Sequence, residues 1–259
     1  MKYTYYIIFL LSISIVAQEP IEAKFIKKTN FQADKLISVD NFGTKYYLIN
    51  DVFHKNANDK IITYNNLQLG TLQSASAFNP LKINLFYKNF NTVIILDNRL
   101  AEIFKIDFNT LSSYKNVSHI STGHDNTIWI FNQDLQKLEL FDYKTRTTRA
   151  QTVPVQSTVL DLKSNFNFCW LLTENFIYVY NYFGSLVKKT KNTGFTSLIE
   201  NNDNIILKKE NSLFYLNKNS NTIKTITTSN ILINQFFVTN ETMYIYNNKI
   251  LQEYQLKIN

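Results

Sequence analysis

The sequence is poor in the residues that usually cross-link, break or turn a polypeptide chain. Its 259 residues include one cysteine, five glycines and three prolines. The single cysteine excludes an intramolecular disulfide, and the apolar neighbours of Cys169 predict a buried residue rather than a catalytic thiol. Because glycine is scarce, turns must use asparagine, which tolerates the left-handed backbone region. We therefore interpret Asn65-Asn66, Asn201-Asn202 and Asn247-Asn248 as turns.

Arginine is nearly absent, although the chain is basic. Lysine and arginine together number 27 against 20 acidic residues, a formal charge of +7, yet only Arg99, Arg146 and Arg149 are arginines. Nucleic-acid modules usually concentrate basic charge and use arginine for bidentate contacts, whereas the lysines here are scattered. We therefore expect solvated strand edges and no nucleic-acid partner. Weak attraction to an anionic lipid or polysaccharide stays open.

Several sequence signatures of membrane spans and of enzymes are also missing. Beyond the N-terminus no apolar run approaches the 18 residues or so that a membrane helix needs. The sequence contains no glycine-rich phosphate loop, no paired-cysteine zinc motif and no Gly-x-Ser-x-Gly elbow. We therefore expect no integral membrane segment in the mature chain, no metal or cofactor, and no catalytic residue that the sequence can name.

What the sequence does contain is a strand-and-turn unit that recurs about every 39 residues. The clearest copy runs from Asp125 to Phe131 and continues from Lys137 to Tyr143. Six copies align at spacings of 47, 35, 41, 36 and 38 residues, at Tyr46, Val93, Ile128, Cys169, Ile205 and Met243. A period near 40 with several short strands is typical of a β-propeller. The sequence therefore predicts an all-β fold, a single propeller of six four-stranded blades over residues 18–259.

The two ends of the chain predict how the propeller closes. The last unit, from Gln235 to Leu256, is one strand short, and the strand-like run from Glu22 to Lys27 belongs to no unit. We expect this N-terminal strand to complete the last blade, since that would close the ring and remove exposed sheet edges. The segment from Gln68 to Pro80 lies in the longest spacing and is interpreted as an irregular loop or short helix.

The first 17 residues have the pattern of a secretory signal peptide. Lys2 precedes an apolar segment from Tyr5 to Val16, and Ile15 and Ala17 stand at the −3 and −1 positions of a cleavage site before Gln18. A membrane anchor is the alternative, but this segment is short for a bilayer. We expect cleavage and export to the periplasm, the cell surface or the medium.

Residue types that occur in active sites are present, but their spacing favours turns. His119 and His124 are five residues apart, which does not place two imidazoles on one metal as a helical pair would. Ser121, His124 and Asp125 are the residue types of a catalytic triad, yet proximity in sequence is not triad geometry. We interpret Gly123-His124-Asp125 as a tight turn before a strand.

Acidic residues also follow strands in the first two units. Asp51 and the motif Asp97-Asn98-Arg99 stand where calcium ligands could line one face of the ring. The same residue types form hairpin turns, and we interpret both as turns.

One unit carries a resemblance to a known type of propeller. Asp125-Asn126-Thr127-Ile128-Trp129-Ile130, followed by Leu140-Phe141-Asp142, resembles blades of the two-component-regulator and NHL propellers. The resemblance covers residues 36–258, but Phe131-Asn132 replaces the usual glycine after the tryptophan strand. The signal segment and the Lys-, Asn- and Ile-rich composition resemble secreted proteins of the Bacteroidetes.

The sequence thus favours an exported, monomeric, non-catalytic propeller that binds another protein or an envelope polymer through loops on one face. Two alternatives remain open. A propeller enzyme, a lyase or hydrolase, would place His, Tyr, Arg and acidic groups around the central channel. A saccharide-binding propeller would expose aromatic residues at the same position of several blades. We expect Trp129 to be a core residue rather than a ligand platform.

Overall fold

The computed structural model of the protein describes residues 19–220, 222–228 and 231–258. Within these ranges the chain forms strands, turns and two short 3-10 turns, and no α-helix. The strands make six four-stranded blades, which confirms the predicted all-β propeller. None of the described segments is a helix long and apolar enough to cross a membrane. The predicted signal peptide, residues 1–17, lies outside the described residues.

The first three blades follow one another along the chain, and within each blade every strand pairs antiparallel with the next. Their strands are β2 (Lys35–Val39), β3 (Lys45–Ile49), β4 (Val52–Ala57) and β5 (Lys60–Tyr64) in blade one; β6 (Ser74–Ser76), β7 (Ile83–Tyr87), β8 (Thr92–Leu96) and β9 (Glu102–Asp107) in blade two; and β10 (Val117–Thr122), β11 (Thr127–Asn132), β12 (Lys137–Asp142) and β13 (Thr147–Gln151) in blade three.

The last three blades complete the ring. Their strands are β14 (Val159–Ser164), β15 (Phe168–Thr173), β16 (Phe176–Asn181) and β17 (Leu186–Lys191) in blade four; β18 (Ser197–Asn201), β19 (Asn204–Lys209), β20 (Ser212–Leu216) and β21 (Ile223–Thr227) in blade five; and β22 (Gln235–Thr239), β23 (Thr242–Asn247), β24 (Ile250–Leu256) and the N-terminal β1 (Ile21–Asn30) in blade six. Each first strand contacts the first strands of both neighbouring blades, so the ring is closed.

The N-terminal strand closes the ring as predicted. From Ala23 to Asn30, β1 pairs antiparallel with β24 as the outermost strand of blade six. Its first two residues, Ile21 and Glu22, pair in parallel with β21 of blade five. One strand therefore links two blades and covers the edge that each would otherwise expose, which is the usual liability of an open sheet.

Blade two corrects one part of the sequence interpretation. The segment from Gln68 to Pro80 is not entirely irregular, because Ser74–Ser76 forms the first strand of the blade and pairs with β7. Consequently Val93 lies in the third strand, and the second strand is β7. The first strand escaped detection because it is three residues long and made of serine and alanine, which carry no apolar alternation.

The core consists of six buried clusters, one in each space between neighbouring blades. Strand β11 shows why the repeat is so apolar: Ile128 and Ile130 pack toward blade two, while Trp129 and Phe131 pack toward blade four. Both faces of each blade are thus covered, and the strand reads as a continuous apolar run. Trp129 is 1% exposed, which confirms it as a core residue.

Asparagine and aspartate make the turns that glycine usually makes. Backbone φ is positive at the paired turn residues Asn50-Asp51, Asn58-Asp59 and Asn202-Asp203, and at Asn248. Two consecutive left-handed residues are the signature of the two-residue hairpin that matches strand twist. The turn interpretation is therefore confirmed at Asp51, Asn202 and Asn248.

Candidate functional site

A channel of about 810 Å³ runs through the ring and is lined mainly by the first strands of the blades and the turns that follow them. We call the face that carries the turns between first and second strands the inner-turn face. The opposite face, where the chain passes from the last strand of one blade to the first strand of the next, is the crossover face. The channel has a different character at each face.

At the inner-turn face, the turn that follows the first strand carries an aromatic side chain in four of the six blades. We call these six turn residues the rim: Phe42, Phe78, His124, Phe166, Asn202 and Asn240. The turns are held by side-chain oxygens, as in Asx turns: Asp40 Oδ1 accepts the backbone N–H of Phe42 and of Thr44, each at 2.9 Å. The fold therefore presents the rings in fixed turns rather than in mobile loops.

Phe42, Phe78 and Phe166 of this face are exposed, and two pairs of its aromatic side chains are in contact. Phe42 is 90% exposed. Phe78 and Phe166 meet edge to face, with ring centroids 5.1 Å apart. His124 lies edge-on to Tyr182 of blade four, with centroids 5.4 Å apart. Exposed apolar groups gathered on one face mark interaction surfaces more often than scattered single residues do.

Below the aromatic rings, four polar side chains of blades four and five form a connected group. Asn165 Nδ2 donates to Glu200 Oε1 at 3.1 Å and to Asp203 Oδ1 at 2.7 Å. The backbone N–H of Asp203 also donates to Glu200 Oε1, at 3.0 Å. Lys218 Nζ lies 3.1 Å from Asp203 Oδ2. All four side chains line the channel, so the mouth combines aromatic surface with carboxylates.

Glu200 is the most perturbed carboxyl group of this mouth. Burial raises its pKa, and the nearby charge of Asp203 adds to the rise, while the hydrogen bonds from Asp203 and Asn165 oppose it. Within the described part of the chain, no hydrogen-bond donor reaches Glu200 Oε2. Glu200 therefore keeps one acceptor oxygen for a ligand donor.

Hydrogen bonds between blades hold the mouth in shape. Asn41 Oδ1 of blade one accepts from Thr239 Oγ1 at 2.6 Å and from Asn240 Nδ2 at 3.0 Å, both of blade six. Asn201 Nδ2 of blade five donates to the backbone oxygen of Asn240 at 2.7 Å. Together with the Asn165 bonds, these contacts tie blades four, five, six and one into one rigid edge, which favours a preorganised binding surface.

Buried hydroxyls tie blades two, three and four together in the same way. Thr122 Oγ1 lies 3.2 Å from Ser76 Oγ and accepts from Asn84 Nδ2 at 3.1 Å. Ser164 Oγ donates to Ser121 Oγ at 2.7 Å. Ser121, which the sequence offered as a possible nucleophile, is thus a structural contact between blades.

The other candidates from the sequence also take structural positions. Gly123 N–H donates to the Thr127 oxygen at 3.1 Å and Asp125 has a φ of 50°, so the tight turn is confirmed. No hydrogen bond joins Ser121, His124 and Asp125 to one another in the described ranges, so they are not a triad. Asp97 Oδ1 accepts the N–H groups of Arg99 and Ala101, which confirms that turn.

Toward the crossover face, the channel is lined by basic groups. His119 and Lys88 line it, together with the pair Lys163–Asp161, whose Nζ and Oδ1 atoms are 2.5 Å apart. Burial lowers the pKa of His119 to about 4; the charge of Asp161 opposes this, and Lys88 and Lys163 add to it. The imidazole is therefore neutral near pH 7. His119 Nδ1 lies 3.0 Å from the hydroxyl of Ser118.

Two further expectations concern metal and thiol chemistry. In the part of the chain that the structure describes, no group of three or more His, Cys, Asp or Glu side chains is arranged to hold a metal ion. Cys169 is fully buried in β15, and burial raises the pKa of its thiol. A buried thiol with a raised pKa is a poor nucleophile, so the interpretation of Cys169 as a core residue is confirmed.

The rim is the feature that the sequence interpretation missed. A usable signal was present, because Phe42, Phe78 and Phe166 each follow the first strand of their unit within a few residues. Detecting it required the correct first strand of blade two, which the sequence did not reveal.

Comparison with known proteins identifies the fold of the chain but not its function. No protein-family model matches the chain, and no curated protein matches it in sequence. Among solved structures, a streptogramin B lyase matches with a TM-score of 0.61 at 14% identity, covering 86% of this chain and 78% of the lyase. Virginiamycin B lyase from Staphylococcus aureus matches with a TM-score of 0.58 at 13% identity, covering 89% and 99%.

A protein of a different class is similar to nearly the same degree. The WD40 domain of Pan2 from Neurospora crassa matches with a TM-score of 0.57 at 10% identity, covering 83% of this chain and 73% of the domain. Solved propellers with similar TM-scores to this chain thus include both lyases and a WD40 domain, as expected for a fold that hosts many functions. At these identities the similarities show the fold alone: the chain is a β-propeller.

Proposed function

We propose that this protein is an exported, non-catalytic binding module that holds a partner protein on its inner-turn face. The observation that carries the proposal is the rim, where four blades present an aromatic ring in the turn after their first strand, at a channel mouth that also carries carboxylates. Aromatic residues are enriched at protein interfaces, where they provide large contact areas at low conformational-entropy cost.

The chemistry of the mouth favours a segment with apolar and cationic side chains. Phe42, Phe78 and Phe166 offer ring faces and edges to apolar groups, and a ring face also attracts a cation. Glu200 and Asp203 add carboxylate oxygens at the channel mouth. A lysine or arginine flanked by apolar residues on the partner matches both features.

A non-catalytic role is supported by how the polar groups of the mouth are used. Asn165, Ser121, Ser164 and Thr122 bond to one another or to neighbouring blades and so support the rim. Such groups position a surface rather than react with a substrate. Turnover of a ligand by the purified protein would instead favour a propeller enzyme.

A saccharide is the second candidate ligand, and the rim favours it as well. Aromatic rings in the first turns of several blades can stack on sugar rings, while the amide of Asn202 and the carboxylate of Glu200 can bond hydroxyl groups. A glycan array probed with the purified protein distinguishes the two candidates, because only a saccharide-binding propeller would show saturable signals that Phe78→Ala and Phe166→Ala abolish.

Export rests on the N-terminal pattern of Lys2, the apolar run from Tyr5 to Val16 and Ala17. It places the partner in the envelope or outside the cell. Mass spectrometry of the protein from its native cell is expected to find a mature N-terminus at Gln18. An intact Met1 in a cytoplasmic fraction would contradict export.

Photo-cross-linking in the native cell tests the proposed face. Benzoylphenylalanine replaces either Phe42 on the inner-turn face or Leu67 on the crossover face, which are 90% and 87% exposed. We expect one defined partner to cross-link at position 42 and not at 67, and to be lost when Phe78→Ala and Phe166→Ala are added. Equal cross-linking at both positions, or at 67 alone, would reject the inner-turn face.

A further inference from the structure

The half of the channel nearer the crossover face carries positive charge that the protein does not neutralise. Lys88 lines the channel, and Lys35 Nζ donates to the backbone oxygen of Gln73, another lining residue, at 3.3 Å. Among the described residues neither ammonium group has a carboxylate partner. The two lysines lie in different blades, and closure of the ring brings them to the same end of the channel.

The acidic groups nearby are already engaged. Asp161 pairs with Lys163 through Oδ1 and accepts the backbone N–H of Leu198 through Oδ2, at 3.0 Å. Asp34, adjacent to Lys35 in sequence, accepts the backbone N–H of Asn50 at 2.6 Å. The Asp161 carboxylate balances Lys163, so Lys88 on the channel wall and Lys35 beside the lining residue Gln73 leave an excess of positive charge.

Without a ligand, the positive charges of Lys35, Lys88 and Lys163 repel one another. The pKa of Lys35 is lowered, first by burial and then by the charge of Lys163, although Asp161 opposes the effect. Lys163, together with Lys88, also adds to the burial that lowers the pKa of His119, while Asp161 opposes it. Like charges that face a partly enclosed space are screened less than charges on an open surface.

We infer that the crossover half of the channel is a binding site for a compact oxyanion of the phosphate or sulfate class, held by Lys35, Lys88 and His119. Ammonium groups form short charge-assisted hydrogen bonds to such oxygens. In the described ranges Ser118 is the one hydrogen-bond partner of the imidazole, at Nδ1, which leaves Nε2 for the anion. The oxyanion is either a free ion or the charged group of a larger ligand.

This site lies at the end of the channel opposite the rim and does not depend on the proposed partner protein. A ligand there would lower the repulsion among Lys35, Lys88 and Lys163 and raise the pKa of His119. Phosphate and sulfate carry enough charge to balance both unpaired lysines.

Isothermal titration of the mature protein with sodium phosphate and with sodium sulfate at neutral pH and fixed ionic strength tests the inference. We expect saturable binding of one anion per chain. The double variant Lys35→Gln/Lys88→Gln is expected to raise Kd about 10-fold or more, since loss of even one charge-assisted bond costs on the order of one decade of affinity. If the wild-type protein binds neither phosphate nor sulfate saturably, the proposed site is wrong.

A matched control separates a built site from general attraction to a basic protein. Lys60→Gln/Lys105→Gln removes the same charge from exposed positions on the outer strands β5 and β9. We expect its Kd to stay within about twofold of the wild type, because exposed charges at a distance are screened. Equal weakening by both double variants would overturn the site.

The histidine gives a second readout that a nonspecific ion would not move. NMR titration is expected to show a rise in the pKa of His119 when phosphate is present, while phosphate at neutral pH leaves the ring signals of the other two histidines in place. Binding that leaves His119 unmoved would place the anion elsewhere and reject the site. A sulfated disaccharide that binds more tightly than sulfate would identify the charged group of a larger ligand, while equal affinity would identify the free ion.

Discussion

Phe78 of blade two and Phe166 of blade four meet edge to face, with ring centroids 5.1 Å apart, although blade three stands between their blades in the ring. In the turn of blade three the backbone passes close to the following strand at Gly123. A Cβ added at Gly123 would lie 2.3 Å from Thr127 Oγ1 and 2.6 Å from the Thr127 backbone oxygen. Both atoms belong to the strand that follows the turn, so only glycine allows this closure.

Gly123→Ala is therefore expected to destabilise the protein by about 1–3 kcal/mol, as overpacking of a fixed backbone usually does. Chemical denaturation measures the change. Gly43→Ala, in the equivalent turn of blade one, is the control because a Cβ there meets no atom within 4 Å and adds only the strain of a φ of +78°. A Gly123→Ala protein that unfolds at the wild-type midpoint would contradict the tight-turn account.

The closing strand provides a test of ring architecture. A chain that begins at Phe31 lacks β1, whose Ile21 and Ala23 are buried against blades five and six. We expect it to lose several kcal/mol of stability, because it exposes two sheet edges and opens the ring. A chain that begins at Ile21 keeps the strand and is the control. Identical thermal unfolding of the two chains would show that the strand does not close the ring.

Trp129 tests the packing between blades three and four. It is buried in a cluster with Leu140, Leu171 and Tyr180. Trp129→Ala is expected to cost about 3–5 kcal/mol, the range for removal of a large aromatic side chain from a core. Phe42→Ala, at a 90% exposed position, is the control and is expected to stay within about 0.5 kcal/mol of the wild type. A near-zero cost for Trp129→Ala would refute its place in the core.

His119 predicts a specific dependence of stability on pH. Its pKa falls from 6.5 to about 4 on folding, chiefly through burial. A base whose pKa is lowered in the folded state contributes stability that is complete above pH 6.5 and is lost as the pH falls toward 4. Urea denaturation across this range is expected to show a steeper decline for the wild type than for His119→Gln. Parallel curves would mean that the imidazole is not buried in its neutral form.

The sequence predicted the architecture better than the site, and the reason is physical. The repeat is visible because strands such as β11 and β15 are buried on both faces and must be apolar throughout. The closure of the ring was predictable because one N-terminal strand belonged to no unit and the last unit lacked one strand. Residues of the channel wall need not be apolar, so the first strand of blade two, Ser74–Ser76, has no apolar pattern in the sequence. As a result, the third strand of that blade was taken for its second.

The site itself depends on ring closure, which sequence proximity does not encode. Lys35 and Lys88 stand in different blades, and Phe78 and Phe166 are 88 positions apart. Single residues at turn tips and strand ends do not form a repeating pattern that the sequence would show. Only the closed ring places them around one channel.

The most direct test of the central claim is the affinity of the partner cross-linked at position 42, measured with purified components. Phe42→Ala/Phe78→Ala/Phe166→Ala is expected to weaken binding by about 100-fold or more, as loss of clustered aromatic anchors does. Leu67→Ala/Val153→Ala, which truncates exposed apolar residues of the crossover face, is expected to leave the affinity within about twofold. Unchanged affinity in the rim variant, or an equal loss in both variants, would contradict the inner-turn face as the binding surface.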